Sequence, residues 1–257
     1  MMKNDLLKLG PVTIYGYGLM IAIGIVVAYM VVNYRAKNRQ LAQSHVSSLT
    51  IWGLLGGFFG AKLLYWITQY KNIWDHPEIL WDLTAGYVVF GGIIGGILAG
   101  YLYCRKNKLN FLQCLDLFAP SIALAQGFGR IGCLLAGCCY GEETDSWFGI
   151  TFHESHFAPN GVKLIPTQIF ESVFNFAVFF ILIWIARRVK LDGFIAGLYL
   201  IFYSLGRFVI EFYRGDIIRG SVGMFSTSQW ISIGVLLVTC TIYISMLFRS
   251  NQVAADE

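Results

Sequence analysis

Tyr203, Arg207, Glu211 and Arg214 recur at intervals of four, four and three within GFIAGLYLIFYSLGRFVIEFYRGD. On a helix this spacing places them on one face. A guanidinium presents a planar fork that suits the oxygens of a phosphate or carboxylate. Beside it, a carboxylate can orient the arginine and a phenol can hydrogen-bond a polar ligand. Each charge at mid-membrane costs about 2.5–3.5 kcal/mol on insertion scales, so such a stripe on an apolar helix is expected to face a hydrophilic cavity. The simpler alternative is an Arg207–Glu211 pair that only fixes helix packing. A second arginine, Arg130, stands in QGFGRIGCLLAGCCYGEE, flanked by Gly129 and Gly132. These glycines leave the backbone open to a bound group, so Arg130 and Arg207 on different helices could clamp a lipid phosphate. Gln168 and Glu171 are three apart in IPTQIFES, just after Pro166 at a first-turn position. Tyr17 in GYGLM is a polar group in the first apolar stretch, and Lys62 in FFGAKLLYW is expected to snorkel.

Cys133, Cys138 and Cys139 raise a separate possibility, with His153 and His156 downstream. Their spacing is C-x4-C-C, whereas zinc sites commonly show C-x2-C. No metal and no cofactor is therefore expected. A disulfide from Cys133 to either of the adjacent pair, or small thiols packed at a helix end, are the other readings. Cys104, Cys114 and Cys240 fall in or near apolar segments as filler.

The elements that must position these groups are apolar. The chain has 257 residues, 56% hydrophobic and 13% charged, with a mean hydropathy of +0.61; a soluble domain carries about 25% charged residues. An all-α integral membrane protein is expected, with seven spans at about 12–34, 48–69, 86–103, 111–130, 167–186, 193–213 and 225–248. Asp116 and Pro120 interrupt the fourth, which leaves a six-span reading with that segment re-entrant. With seven spans, Arg35, Lys37, Arg39, Arg105, Lys106, Lys108, Arg187, Arg188, Lys190 and Arg249 all lie on one side. The positive-inside rule makes that side cytoplasmic, with the N-terminus outside and the C-terminus inside. One membrane domain, 1–257, is expected, with an outward-facing insert at about 131–166. No cleavable signal is apparent, and a net charge of +4 gives no reason to expect nucleic acid. Small residues at intervals of four (Gly53, Gly57, Ala61 and Gly92, Gly96, Gly100) predict close helix packing.

GRIGCLLAGCCYG resembles the signature of the bacterial prolipoprotein diacylglyceryl transferase family, G-R-x-G-N-F-x-N-x-E-x-x-G. IYGYGLM, GAKLLYW, FGGIIGG, PTQIFE, YSLGRFVIEFYR and STSQWISI follow the family's order across nearly the whole chain. The resemblance implies transfer of a diacylglyceryl group from phosphatidylglycerol to the lipobox cysteine thiol of a prolipoprotein. Glycerol phosphate is released, and the setting is a bacterial cytoplasmic membrane. Its partners would be membrane lipids and prolipoprotein signal peptides. By the same resemblance, Arg130, Arg207, Tyr203 and Glu211 are the catalytic set. Arg130, Arg207, Tyr17, Gly129, Gly132, Gly141, Gln168 and Glu171 would bind phosphatidylglycerol. Phe90 stands where family members usually have histidine or tyrosine, Lys62 where arginine is usual, and Cys133, Ala136 and Cys138 replace two asparagines and a glutamate of the signature. The phosphate-handling half thus matches while the proton-handling half differs. Two alternatives follow from those differences: a non-catalytic lipid- or precursor-binding relative, and a membrane thiol–disulfide oxidoreductase using Cys133, Cys138 and Cys139.

Overall fold

A computed structural model describes residues 5–9, 12–39, 41–82, 86–216 and 221–255. A hairpin of β1 (Asp5–Leu9) and β2 (Val12–Tyr15) leads into α1 (Gly16–Asn38). Then come α2 (Gln43–Thr68), the short α3 (Tyr70–Asp75), α4 (Val89–Lys106) and α5 (Phe111–Ala136). A loop region carrying β3 (Ile150–Thr151) and β4 (Lys163–Leu164) precedes α6 (Thr167–Ala186) and α7 (Phe194–Ile210). A second small hairpin, β5 (Ser221–Val222) and β6 (Phe225–Ser226), precedes α8 (Thr227–Ala255). The protein is mostly helical, and among the described residues six helices are long and apolar enough to cross a membrane. They are α1, α2, α5, α6, the α7 segment extended to Tyr213, and α8. The remaining expected span, α4, has 18 residues and ends in Arg105 and Lys106, which shortens its apolar run.

The chain divides into two compact units, Met1–Val31 with Leu115–Glu257, and Val32–Cys114. In the second, α2 packs on α4. The closest approach is one position away from the expected glycines. A Cβ on Gly56 would stand 2.6 Å from the Gly95 carbonyl oxygen, and one on Gly60 would collide with that of Gly91. Gly53 has nothing within 4 Å. Lys62 does not snorkel to water: it is 2% exposed, donates to the Asp82 carbonyl, and lies 5.1 Å and 5.2 Å from the Tyr65 and Tyr87 ring centres.

In the first unit, Asp116 has a definite task that its sequence position did not suggest. It is 2% exposed, and its two carboxylate oxygens accept the backbone N–H groups of Gly193 and Ala196, each at 2.8 Å. The first N–H groups of a helix have no partner within it, and a negative charge there complements the helix dipole. Asp116 therefore caps α7 across space, and α5 passes through Pro120 without breaking. The insert begins at Gly137, not 131, because α5 continues to Ala136. It holds a small core of Phe152, Ala158 and Leu164.

Candidate functional site: a buried arginine–carboxylate relay

The Ala136 end of α5, the Thr167 end of α6, the Ile210 end of α7 and the Thr227 end of α8 meet around Glu171, which is 8% exposed. Glu171 Oε2 lies 2.9 Å from Arg130 Nη1, and Oε1 lies 3.4 Å from Arg207 Nη1. Arg207 Nη2 lies 2.7 Å from Glu211 Oε2 and donates to Ser228 Oγ at 3.3 Å. One carboxylate on α6 therefore bridges arginines from two other helices. The four groups carry two positive and two negative formal charges, which makes their joint burial tolerable.

The far end of the relay is fixed by the start of α8. Ser226 and Gln229 form a reciprocal capping box. The Ser226 N–H donates to Gln229 Oε1 at 2.9 Å, and the Gln229 N–H donates to Ser226 Oγ at 3.2 Å. The same Ser226 hydroxyl donates to Glu211 Oε1 at 2.9 Å. The cap of one helix thus orients the carboxylate that orients Arg207. The S-x-x-Q spacing in STSQ carries this signal in the sequence, but only the fold reveals that it faces Glu211.

Arg130, Glu171, Tyr203 and Arg207 line one cavity of about 370 Å³, together with Gln126, Asn175 and apolar side chains of α6 and α7. Gln126 precedes Arg130 by four residues and so shares its helical face. Gly206 lets the Phe174 ring lie directly on α7, which shapes the apolar wall. The two arginines are not equivalent. Arg207 is held by Glu171, Glu211 and Ser228, and its side chain is 11% exposed. Among the described residues Arg130 forms an ion pair only with Glu171, and its side chain is 22% exposed. A guanidinium has five N–H donors, so Arg130 has donors available for a ligand.

The other expected residues fall in different places. Gly129 has open space where a side chain would be. Gly132 packs on Tyr17, whose carbonyl oxygen an added Cβ would meet at 3.2 Å. Gly141 lies where two backbones cross: its N–H donates to Ile165 O at 3.0 Å, and a Cβ would meet Tyr213 O at 2.8 Å. Gln168 is fully buried and donates to the Cys138 carbonyl at 2.8 Å. Neither Gln168 nor Gly141 lines the cavity. Arg214 leaves the stripe, because α7 ends at Ile210 and a 3-10 turn, Glu211–Tyr213, follows. Its guanidinium binds the Asp216 carboxylate instead, with Nε 2.8 Å from Oδ1.

The cysteines are brought together by the end of α5. Gly137, at φ 75°, ends the helix in the left-handed conformation, and the Cys138 N–H returns to the Cys133 carbonyl at 3.1 Å. Cys139 is also left-handed, at φ 61°. This double reversal turns the adjacent cysteines back over Cys133, and the three sulfurs lie within 4.8 Å of one another as free thiols. Thr167 Oγ1 pins the Cys139 carbonyl at 2.8 Å, as Gln168 does that of Cys138. Hydrogen bonds from Cys133 and Cys138 draw the Cys139 thiol below the usual range; burial opposes this, and the charges of Arg214 and Arg130 add to it. Hydrogen bonding with Cys133 and Cys139, together with burial, pushes Cys138 up.

The model of the family described as prolipoprotein diacylglyceryl transferase matches residues 4–245. The chain belongs to the prolipoprotein diacylglyceryl transferase family. A Clostridium tetani (strain Massachusetts / E88) protein named phosphatidylglycerol–prolipoprotein diacylglyceryl transferase is 48% identical over 250 residues, covering 97% of this chain and 100% of its own. A Clostridium perfringens (strain 13 / Type A) protein of the same name, numbered 2, is 47% identical over 231 residues, with 90% of each chain covered. A Staphylococcus aureus (strain Newman) relative, again of that name, is 32% identical over 250 residues, covering 95% of this chain and 89% of its own. This member of the diacylglyceryl transferase family is a multi-pass membrane protein whose helix ends enclose the arginine–carboxylate relay.

Proposed function

We propose that the chain transfers the diacylglyceryl group of phosphatidylglycerol to the lipobox cysteine thiol in the signal peptide of a prolipoprotein. The observation that carries this reading is the pairing of Arg130 and Arg207 through Glu171 at the wall of a largely apolar cavity. The apolar wall suits acyl chains, and Arg130 suits the phosphate. The acceptor sulfur attacks the glycerol carbon bonded to the phosphate oxygen. A C–S bond forms as the C–O bond breaks, the thiol proton is released to water, and glycerol phosphate leaves with the electron pair. Negative charge grows on the departing phosphate, where Arg130 stabilises it most. Glu171 and Arg207 hold Arg130 at the right depth, Glu211 and Ser226 hold Arg207, and Tyr203 offers a hydroxyl to the head group. Gly129 leaves room for the lipid at the Arg130 backbone. Tyr17, Gly132, Gly141 and Gln168 support the end of α5 and the loop after it.

The working topology has seven spans, with α4 as the seventh. The Arg/Lys-rich ends then lie in the cytoplasm, and the site opens toward the outer side of a bacterial cytoplasmic membrane. That side is where translocated prolipoproteins present their cysteine. The test is release of glycerol phosphate from phosphatidylglycerol vesicles by the purified protein and a lipobox peptide. Release is expected with the cysteine peptide and not with its serine counterpart. Release that ignores the acceptor thiol would overturn the reading.

A further inference from the structure

We propose that Cys133, Cys138 and Cys139 form a three-thiolate site for a divalent zinc-like ion, whose open fourth position takes the acceptor cysteine as a metal-bound thiolate. The inference rests on the transferase reading above and departs from the expectation drawn from C-x4-C-C spacing. Spacing is a weak guide here, because the turn after α5 folds the adjacent pair back on Cys133. The three sulfurs already lie within 4.8 Å of one another. Around a tetrahedral zinc with Zn–S of about 2.3 Å, they would be about 3.8 Å apart. The required contraction is about 1 Å.

Two features mark the cluster as more than packed thiols. Cys139 holds a left-handed backbone at φ 61°, a conformation costing a non-glycine residue about 1–2 kcal/mol. The carbonyls of Cys138 and Cys139 are each fixed by a buried side chain of the first turn of α6, Gln168 and Thr167. These bonds do for the thiol ligands what outer-shell partners do in metal sites: they set direction before the ion arrives.

The chemistry fits the reaction. Coordination removes the proton from a thiol outright. The acceptor cysteine would lose its proton to water on binding the ion, so no protein base at the attack step is needed. Its sulfur then forms the C–S bond as the C–O bond to phosphate breaks. The product thioether carries no charge, ligates weakly and leaves. Arg130 and Cys133 are three apart on α5 and share a face, which puts the phosphate clamp and the sulfur donor on the same side of the helix. No redox change occurs, and the ion is regenerated.

The probe is cobalt(II), titrated into the full-length protein in detergent after chelation. Binding of one ion per chain is expected, with near-ultraviolet thiolate-to-cobalt charge transfer and visible bands of tetrahedral cobalt. The visible bands should shift with the cysteine lipobox peptide and not with the serine peptide. Cys139→Ser should weaken cobalt binding at least about tenfold, with thermal unfolding recorded to exclude misfolding. Chelation should slow transfer and zinc should restore it. Absence of the thiolate bands in the unsubstituted protein, or full-rate transfer after chelation, would overturn the metal site and leave the transferase reading standing. Peptide-responsive bands without any transfer would overturn the transferase reading alone.

Discussion

Replacing the two relay arginines one at a time should give opposite results. In Arg130→Ala, Glu171 keeps Arg207 at 3.4 Å, so no buried carboxylate is left without a cation. The stability cost should be about 1 kcal/mol, that of one lost charged hydrogen bond with partial exposure. Turnover should fall by about 100- to 1,000-fold, because removing one preorganised donor from a developing oxyanion costs about 2.7–4 kcal/mol. In Arg207→Ala, Glu211 loses its cation at 2.7 Å while remaining buried, and keeps the hydrogen bond from Ser226. Breaking a buried pair from one side costs about 3–5 kcal/mol, so this variant should melt well below the parent. Initial rates of glycerol phosphate release and thermal unfolding in detergent, measured on both proteins, separate the two effects. Arg130→Ala within threefold of the parent rate, or destabilised as much as Arg207→Ala, would refute the division of labour.

Other substitutions probe the supports. Asp116→Ala removes the acceptor of two backbone N–H groups at the start of α7 and should lower stability by about 2–4 kcal/mol; an unchanged unfolding midpoint would contradict the cross-helix cap. Gly60→Leu should disrupt the α2–α4 contact and lower yield and melting temperature, whereas Gly53→Ala should be neutral or stabilise by up to about 1 kcal/mol. Equal effects of the two would mean that the glycine register is misassigned. Ser226→Ala removes both the α8 cap and the Glu211 hydrogen bond, and should cost about 1–2 kcal/mol with a measurable loss of rate.

The charged residues were the legible part of the site. Arg130, Arg207, Glu211 and Tyr203 stand out because a membrane makes each of them expensive, and their spacing assigns a face. Glu171 was visible as a polar residue near a helix start, but its bridging of two arginines depends on how α5, α6 and α7 meet. Arg214 was misplaced because nothing in the periodicity signals the 3-10 turn at Glu211. Asp116 looked like an interruption of a span, and is instead the acceptor for helix N–H groups about 80 residues away. The glycine pattern gave the close approach of α2 and α4 but not its register, since two overlapping sets of glycines fit the same four-residue spacing. The three cysteines stood out as a set in the sequence, but that all three sulfurs meet depends on the left-handed residues Gly137 and Cys139, not on sequence distance.

The most direct test of the central assignment is the mass of a lipobox peptide after incubation with the purified protein and phosphatidylglycerol. A diacylglyceryl gain on the peptide's cysteine is expected, falling to background with Arg130→Ala. A peptide of unchanged mass, from protein that still binds phosphatidylglycerol, would contradict it.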